Sequence, residues 1–384
     1  MEFLQDFLEE QKRKNLYRKT ITYEPVDATH VKVDEKIYLV LASNNYLGLT
    51  HHPNVKQAAI EAISKYGTGA GAARLITGTH PYYLILEKEL AIFKNTEAAV
   101  IFNTGYMANV GTISALMGKN DVIFSDELNH ASIIDGCRLS RAKCITFRHS
   151  NMDDLEQCLN ENACSGKRLI VVDGVFSMQG DIAPLPDIVK IARKYNALVM
   201  LDDAHATGVL GQGYGTAVHF GLEGQVDIQI GTLSKALGSE GGYVAGSKNL
   251  ISYLINKARS FIYSTALSPA TIASALESLR IIKDDSNLIN ILNKNSIHMR
   301  NKLIEAGLKI PQGVTPIIPI VVEKEEVALI VAEQLREKGI IITAIRPPTV
   351  REKESCLRIT VSAAHDMVEL STAAEEIAIL MKKI

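Results

Sequence analysis

The chain has 384 residues, 47% of them hydrophobic and 22% charged, a composition that supports folded cores and excludes wholesale disorder. Its 41 Lys and Arg against 43 Asp and Glu leave a formal charge of -2, which excludes a whole-chain basic footprint for nucleic acid, and the absence of Trp leaves little for a stacking platform. No stretch reaches the roughly 18 apolar residues of a membrane span, and the five cysteines form no CxxC pair, so the expectation is a cytoplasmic protein, an enzyme by its size, with no disulfide framework or zinc site.

Residues 1–19 mix charges along an amphipathic pattern and predict a helix, not the continuous apolar core of a leader. Residues 30–42 predict a short hairpin around an Asp-Glu-Lys turn. From about 53 to 247 helix and strand alternate: a helix before Gly67, a Gly-rich loop, a second helix, then the apolar runs AAVIF, DVIFSD, KCITF, RLIVVDG, ALVMLDD, VDIQIGT and GGYVAG. Short apolar runs separated by helices predict a mainly parallel sheet covered on both faces. From about 270 the order is a long helix, PIIPIVV, a helix near 325–338, two more strands and a final helix, which predicts a smaller α+β domain. The fold class is therefore α/β. The expected division is an N-terminal arm at 1–45, a large domain at 46–270 and a small domain at 271–384.

In open parallel sheets ligands collect where strands end, so polar residues just after apolar runs are the ones to inspect. Lys235 follows strand VDIQIG between Thr232, Ser234 and small residues. It reads either as a solvated loop lysine or as an imine-forming amine made available by partial burial. Asp202 and Asp203 end the strand ALVM, and His205 follows. Successive strand residues face opposite ways, so the two carboxylates should not share a role. One could pair with a pyridinium nitrogen or simply cap the next turn, and a metal reading finds no matching cluster elsewhere. Gly105-Tyr106 lies between a strand and a helix and suits a phosphate on helix N–H groups, or is an ordinary turn. His130 follows strand DVIF and could stack on a planar cofactor or be structural. The loop Gly67-Thr-Gly69-Ala-Gly71 follows a helix and has the wrong spacing for a dinucleotide fingerprint, which argues against a NAD-dependent dehydrogenase.

Together a lysine loop, a strand-end Asp with a nearby His, and a helix-start turn, in this chain order, point to pyridoxal phosphate (PLP) in a fold-type I enzyme. At this level the sequence resembles the α-oxoamine synthases nearly end to end. The motifs are Ser43–Leu49, Gly174–Asp181 with Ser177, Asp202–Gly208, Thr232–Lys235, Ile262–Thr265 and Ser362–His365. The segment Thr343–Val350, including Pro347 and Pro348, resembles the branch that joins L-alanine to a pimeloyl thioester in biotin biosynthesis.

The resemblance implies a PLP-dependent transferase fold, its large domain built on a seven-stranded, mainly parallel sheet, and it implies roles residue by residue. Lys235 would hold the cofactor as a Schiff base and later move the Cα proton. Asp202 would pair with the pyridinium nitrogen, His130 would stack on the ring, and His205 and Ser177 would touch its oxygen and surroundings. Gly105, Tyr106 and Thr232 would hold the phosphate, and Ser264 and Thr265 would reach the phosphate of a neighbouring subunit, which implies a homodimer with shared sites. Asn44, Arg18 and Thr349 would lie near the substrates, and Arg358 would clamp the amino-acid carboxylate. The acyl carrier is coenzyme A or acyl carrier protein. The chain departs from the family pattern at Ala72-Ala73, at Tyr83 where many relatives carry histidine, and at 351–356, which bears on thioester recognition. The rival expectations are a glycine C-acetyltransferase, a synthase for another acyl chain, and a non-catalytic PLP-binding protein.

Overall fold

The computed structural model describes residues 1–347 and 349–383. Pro348 of the expected specificity segment lies outside the described residues. The chain forms two compact units: Leu47–Ser177 with Asp181–Ile289, and a smaller one that combines Met1–Tyr46, Met178–Gly180 and Asn290–Ile384.

The larger unit is built on seven strands, β1 (Ala98–Phe102), β2 (Val122–Asp126), β3 (Lys143–Phe147), β4 (Arg168–Asp173), β5 (Leu198–Asp202), β6 (Ile228–Thr232) and β7 (Gly242–Gly246), in the spatial order β1-β7-β6-β5-β4-β2-β3. β2 to β6 pair in parallel. β7 runs antiparallel to both of its neighbours. The central runs are apolar throughout because each face of the sheet meets its own core. In β4, Leu169 and Val171 join one cluster while Ile170 and Val172 join the other. Helices Gly105–Leu116, Ala131–Ser140 and Lys248–Lys257 fill the first, through Ala108, Ile133 and Leu254. Met152–Glu161 and Leu185–Lys194 fill the second, through Leu155, Leu159 and Ile188. The helix Pro269–Asp284 belongs to this unit, packed on Pro53–Tyr66, so the unit runs past residue 270.

The consequence for chemistry is that β2, β4, β5 and β6 end, on one edge, at Asp126, Asp173, Asp202 and Thr232. Asp173 and Asp202 are direct partners in the β4–β5 register. Four polar residues thus stand where the apolar runs stop.

The smaller unit holds the predicted hairpin, His30–Val33 against Lys36–Val40, turned at Asp34 and Glu35 with positive φ. Its second strand pairs in parallel with Ile340–Ile341. A separate antiparallel sheet has Ser355–Thr360 between Ile317–Glu323 and Thr343–Ile345. Leu39, Leu41, Ile318, Leu357, Val331 and Leu370 share one core there. The first helix covers Glu2–Arg13, shorter than the expected 1–19 because the chain turns at Asn15 with φ 54°. No helix among the described residues is long and apolar enough to cross a membrane.

Candidate active site

Lys235 lies in the loop between β6 and β7, closed by Leu233 N to Gly241 O and Gly238 N to Lys235 O. Thr232 Oγ1 donates to Gly241 O at 2.8 Å and lies 2.7 Å from Ser234 Oγ. Gly238 has φ 58°, and a Cβ there would come within 2.8 Å of Thr50 N, so the turn requires glycine. Lys235 Nζ is 2.7 Å from His205 Nε2.

Around this pair is a cavity of about 220 Å³. It brings together Gly105, Tyr106, His130, Ser177, Asp202, His205, Thr232 and Lys235, residues from five separate stretches of chain. It also has walls that sequence reasoning gave no role: Asn109, Ser132 and Asp173. The available signal for Asp173 was the one used for Asp202, a carboxylate ending an apolar strand.

Asp202 is 5% exposed; its Oδ2 accepts from Asn109 Nδ2 at 2.6 Å and its Oδ1 from Ala204 N at 2.9 Å. Asn109 Nδ2 also reaches Ser132 Oγ at 2.9 Å, which is 2.7 Å from His130 Nδ1. The carboxylate, amide, hydroxyl and imidazole thus form one chain along the cavity wall. Burial lowers the His130 pKa below its usual value, with Lys235 adding to the effect and Asp202 opposing it. Burial, reinforced by the charge of Asp202, pushes the Asp173 carboxyl well above the usual carboxylate range. Asp173 Oδ2 accepts from His130 N at 2.9 Å.

Asp203 points away, as alternation along a strand requires. It is fully buried and accepts from Lys94 Nζ at 2.7 Å. Burial works against charge on Lys94, but Asp203 and Tyr243 together outweigh it and hold the ammonium above its usual pKa. Lys94 also donates to Tyr214 O at 2.8 Å.

The helix Gly105–Leu116 starts at the cavity with Thr104 as its cap, accepting from Met107 N at 3.0 Å. That leaves the first amides, of Gly105 and Tyr106, which a helix cannot satisfy internally. A Cβ on the neighbouring Gly242 would fall 2.6 Å from Gly105 N, so this turn rests directly on β7.

Ser264 and Thr265 do not line the cavity. Ser264 Oγ donates to Ser260 O at 2.7 Å, and Thr265 O accepts from Asn103 Nδ2 at 2.6 Å. The four expected substrate residues fall in the smaller unit, in two places. Arg358 Nη2 donates to Asn44 Oδ1 at 3.2 Å, where Tyr46 Oη also donates at 3.3 Å. Burial pushes the Tyr46 phenol up to about 12, against the opposing pull of Arg358. Arg18 and Thr349 instead line a hollow of about 390 Å³ with Lys19 and Arg346. The Arg346 pKa is lowered by burial and by the charge of Arg18.

The cavity's donor set fits PLP: an amine for an aldehyde, a buried carboxylate for a ring nitrogen, an imidazole for a ring face, and helix amides for a phosphate.

Comparison with known proteins agrees. The family model for aminotransferase class I and II matches residues 36–377. A curated 8-amino-7-oxononanoate synthase of Lysinibacillus sphaericus is 49% identical over 96% of this chain and 95% of its own. One from Bacillus subtilis is 45% identical over 98% and 96%. Among solved structures, a Sphingomonas wittichii serine palmitoyltransferase superposes with TM-score 0.94 at 30% identity over 100% of this chain and 98% of its own. The Francisella tularensis 8-amino-7-oxononanoate synthase gives 0.78 at 29% over 90% and 98%. The chain belongs to the class I and II aminotransferase family, and within it to the α-oxoamine synthases. Several curated relatives matched over nearly their whole length carry the name 8-amino-7-oxononanoate synthase.

Proposed function

We propose that this protein is a PLP-dependent acyltransferase that condenses L-alanine with a pimeloyl thioester to 8-amino-7-oxononanoate, releasing CO2 and the free thiol carrier in biotin biosynthesis. The observation that carries the reading is the cavity in which Lys235, His205, Asp202 and His130 converge at the strand ends beside the Gly105 helix start.

PLP bound there supplies an electron sink for negative charge at the substrate Cα. Lys235 takes and returns the proton at that carbon, with His205 within hydrogen-bond distance of its amine. Asp202, fixed by Asn109 and Ala204, holds a proton on the ring nitrogen. His130 covers a ring face, and Ser177 and His205 bind the ring's oxygen. The amides of Gly105 and Tyr106 and the Thr232 hydroxyl take the phosphate. Arg358 grips the amino-acid carboxylate that later leaves as CO2, with Asn44 beside it. Arg18 and Thr349 take the acyl substrate.

The working form is a homodimer in the cytoplasm, with Ser264 and Thr265 serving the neighbouring subunit's phosphate. Exposed Leu75, Ile76 and Tyr263 support this, because they flank the Ala73–Thr265 bridge in sequence and large exposed apolar groups favour burial by a second copy.

The test is the absorbance of purified protein titrated in parallel with L-alanine and glycine, then with pimeloyl-coenzyme A. A visible band lost in Lys235→Ala, responding more to alanine and changing again with the thioester, is the expected result. A response mainly to glycine replaces this reading with the glycine C-acetyltransferase one. No band after PLP is added overturns the cofactor assignment.

A further inference from the structure

His149 lies in the loop after β3, outside the cavity, and bridges two carboxylates. Its Nδ1 is 3.0 Å from Asp126 Oδ1 and its Nε2 is 2.8 Å from Asp181 Oδ2. Its backbone N donates to Glu127 Oε1 at 2.9 Å, and its ring meets Phe176 edge-on with centroids 4.4 Å apart. These partners belong to two different loops. Asp126 ends β2 and begins the turn to His130, accepting also from Leu128 N and Ser150 N. Phe176 and Asp181 flank the loop after β4 that carries Ser177, and Phe176 N donates to Asp181 O at 3.0 Å.

We propose that His149 is a positioning residue for the cofactor: a charged strut that locks the His130 loop to the Ser177 loop. The inference rests on the PLP assignment above. Its geometry is that of a clamp, because each imidazole nitrogen is committed to a different loop and the ring seats the residue beside Ser177. A neutral imidazole can donate from only one nitrogen, so satisfying both carboxylates requires the charged ring. Asp126 is 3% exposed, so removing the charge leaves a buried carboxylate short of its partner. The loops then lose their common anchor while the sheet and both cores remain.

The experiment follows the release of PLP from the holoenzyme, read as loss of the visible band in the presence of a scavenger for free PLP, without amino acid or thioester. His149→Gln is expected to accelerate release about tenfold, in line with coupling across a shared charged network. Asp181→Asn is expected to move in the same direction by less, and provides the readout if the first variant folds poorly. His149→Arg, which restores a charge with two donors, is expected to return release toward the wild-type rate. Release within twofold of wild type in both His149→Gln and Asp181→Asn overturns the proposal. So does an acceleration matched by Leu370→Ala, in the separate core of the smaller unit, at equal loss of global stability. Because no acyl substrate is present, an error in the assigned thioester leaves this result untouched; a wild type with no visible band instead removes the cofactor reading itself.

Discussion

Lys235 Nζ and His205 Nε2 lie 2.7 Å apart, and the two residues come from consecutive strand ends, β5 and β6. One proton can therefore be shared between an amine and an imidazole that is 8% exposed. His205→Asn should lower kcat by about 10²-fold, the lower end for groups engaged in proton transfer, with circular dichroism unchanged. Steady-state kinetics with L-alanine and the thioester check this.

Asp202→Asn preserves shape and keeps an acceptor for Ala204 N but removes the charge. A drop in kcat of about 10²- to 10³-fold is expected, as for other preorganised electrostatic groups. A smaller loss than tenfold would place the ring-nitrogen partner elsewhere, and Asp173 would be the residue to test next.

Arg358→Lys removes the planar fork while keeping a positive charge. The Michaelis constant for L-alanine should rise about 10- to 150-fold, the equivalent of about 1.5–3 kcal/mol for a charge-assisted hydrogen-bonded pair, and that for the thioester should change little. Kinetics with each substrate varied in turn separate the two.

The Lys94–Asp203 pair, 1% and 0% exposed at the side chains, is expected to be structural. Lys94→Met strands a buried carboxylate and should cost about 3–5 kcal/mol, read as a shift in the urea midpoint. Adding Asp203→Leu should recover part of that loss.

His149 gives stability a signed dependence on pH. Burial opposes its charge, but hydrogen bonds to Asp126 and Asp181 push its pKa from the ordinary 6.5 up to about 10. A folded-state pKa above the unfolded value means the contribution is complete below about 6.5 and is lost as pH rises through about 10. Urea midpoints at about pH 6, 8 and 10 should fall across that window in the wild type and fall less in His149→Gln.

The catalytic edge was readable because a buried parallel sheet writes its strands as apolar runs and its ligand-facing ends as the first polar residue after each run. Asp202 and Thr232 obey that rule, and His130 and Lys235 lie a few residues further on, in the loops those strand ends open. Asp173 obeys it too, ending the run RLIVVD, and was given no role. Asn109 and Ser132 are ordinary helix residues whose part in the wall depends on where the helices dock, which no local pattern states. The same holds for the parallel pairing of Leu39 with Ile340, a register set by tertiary packing across some three hundred residues of chain. His149 carries no local signal at all: its two carboxylates arrive from β2 and from the loop after β4.

That long-range pairing also orders events during synthesis. Every strand of the larger sheet lies between Ala98 and Gly246 and emerges from a ribosome in one uninterrupted pass. The strand Lys36–Val40 is made far earlier, yet its parallel partner does not exist until Ile340 and Ile341 have been translated. The first-made part of the smaller unit is thus among the last to find its place, and the nascent chain carries Leu39 and Leu41 without their core through most of its own elongation.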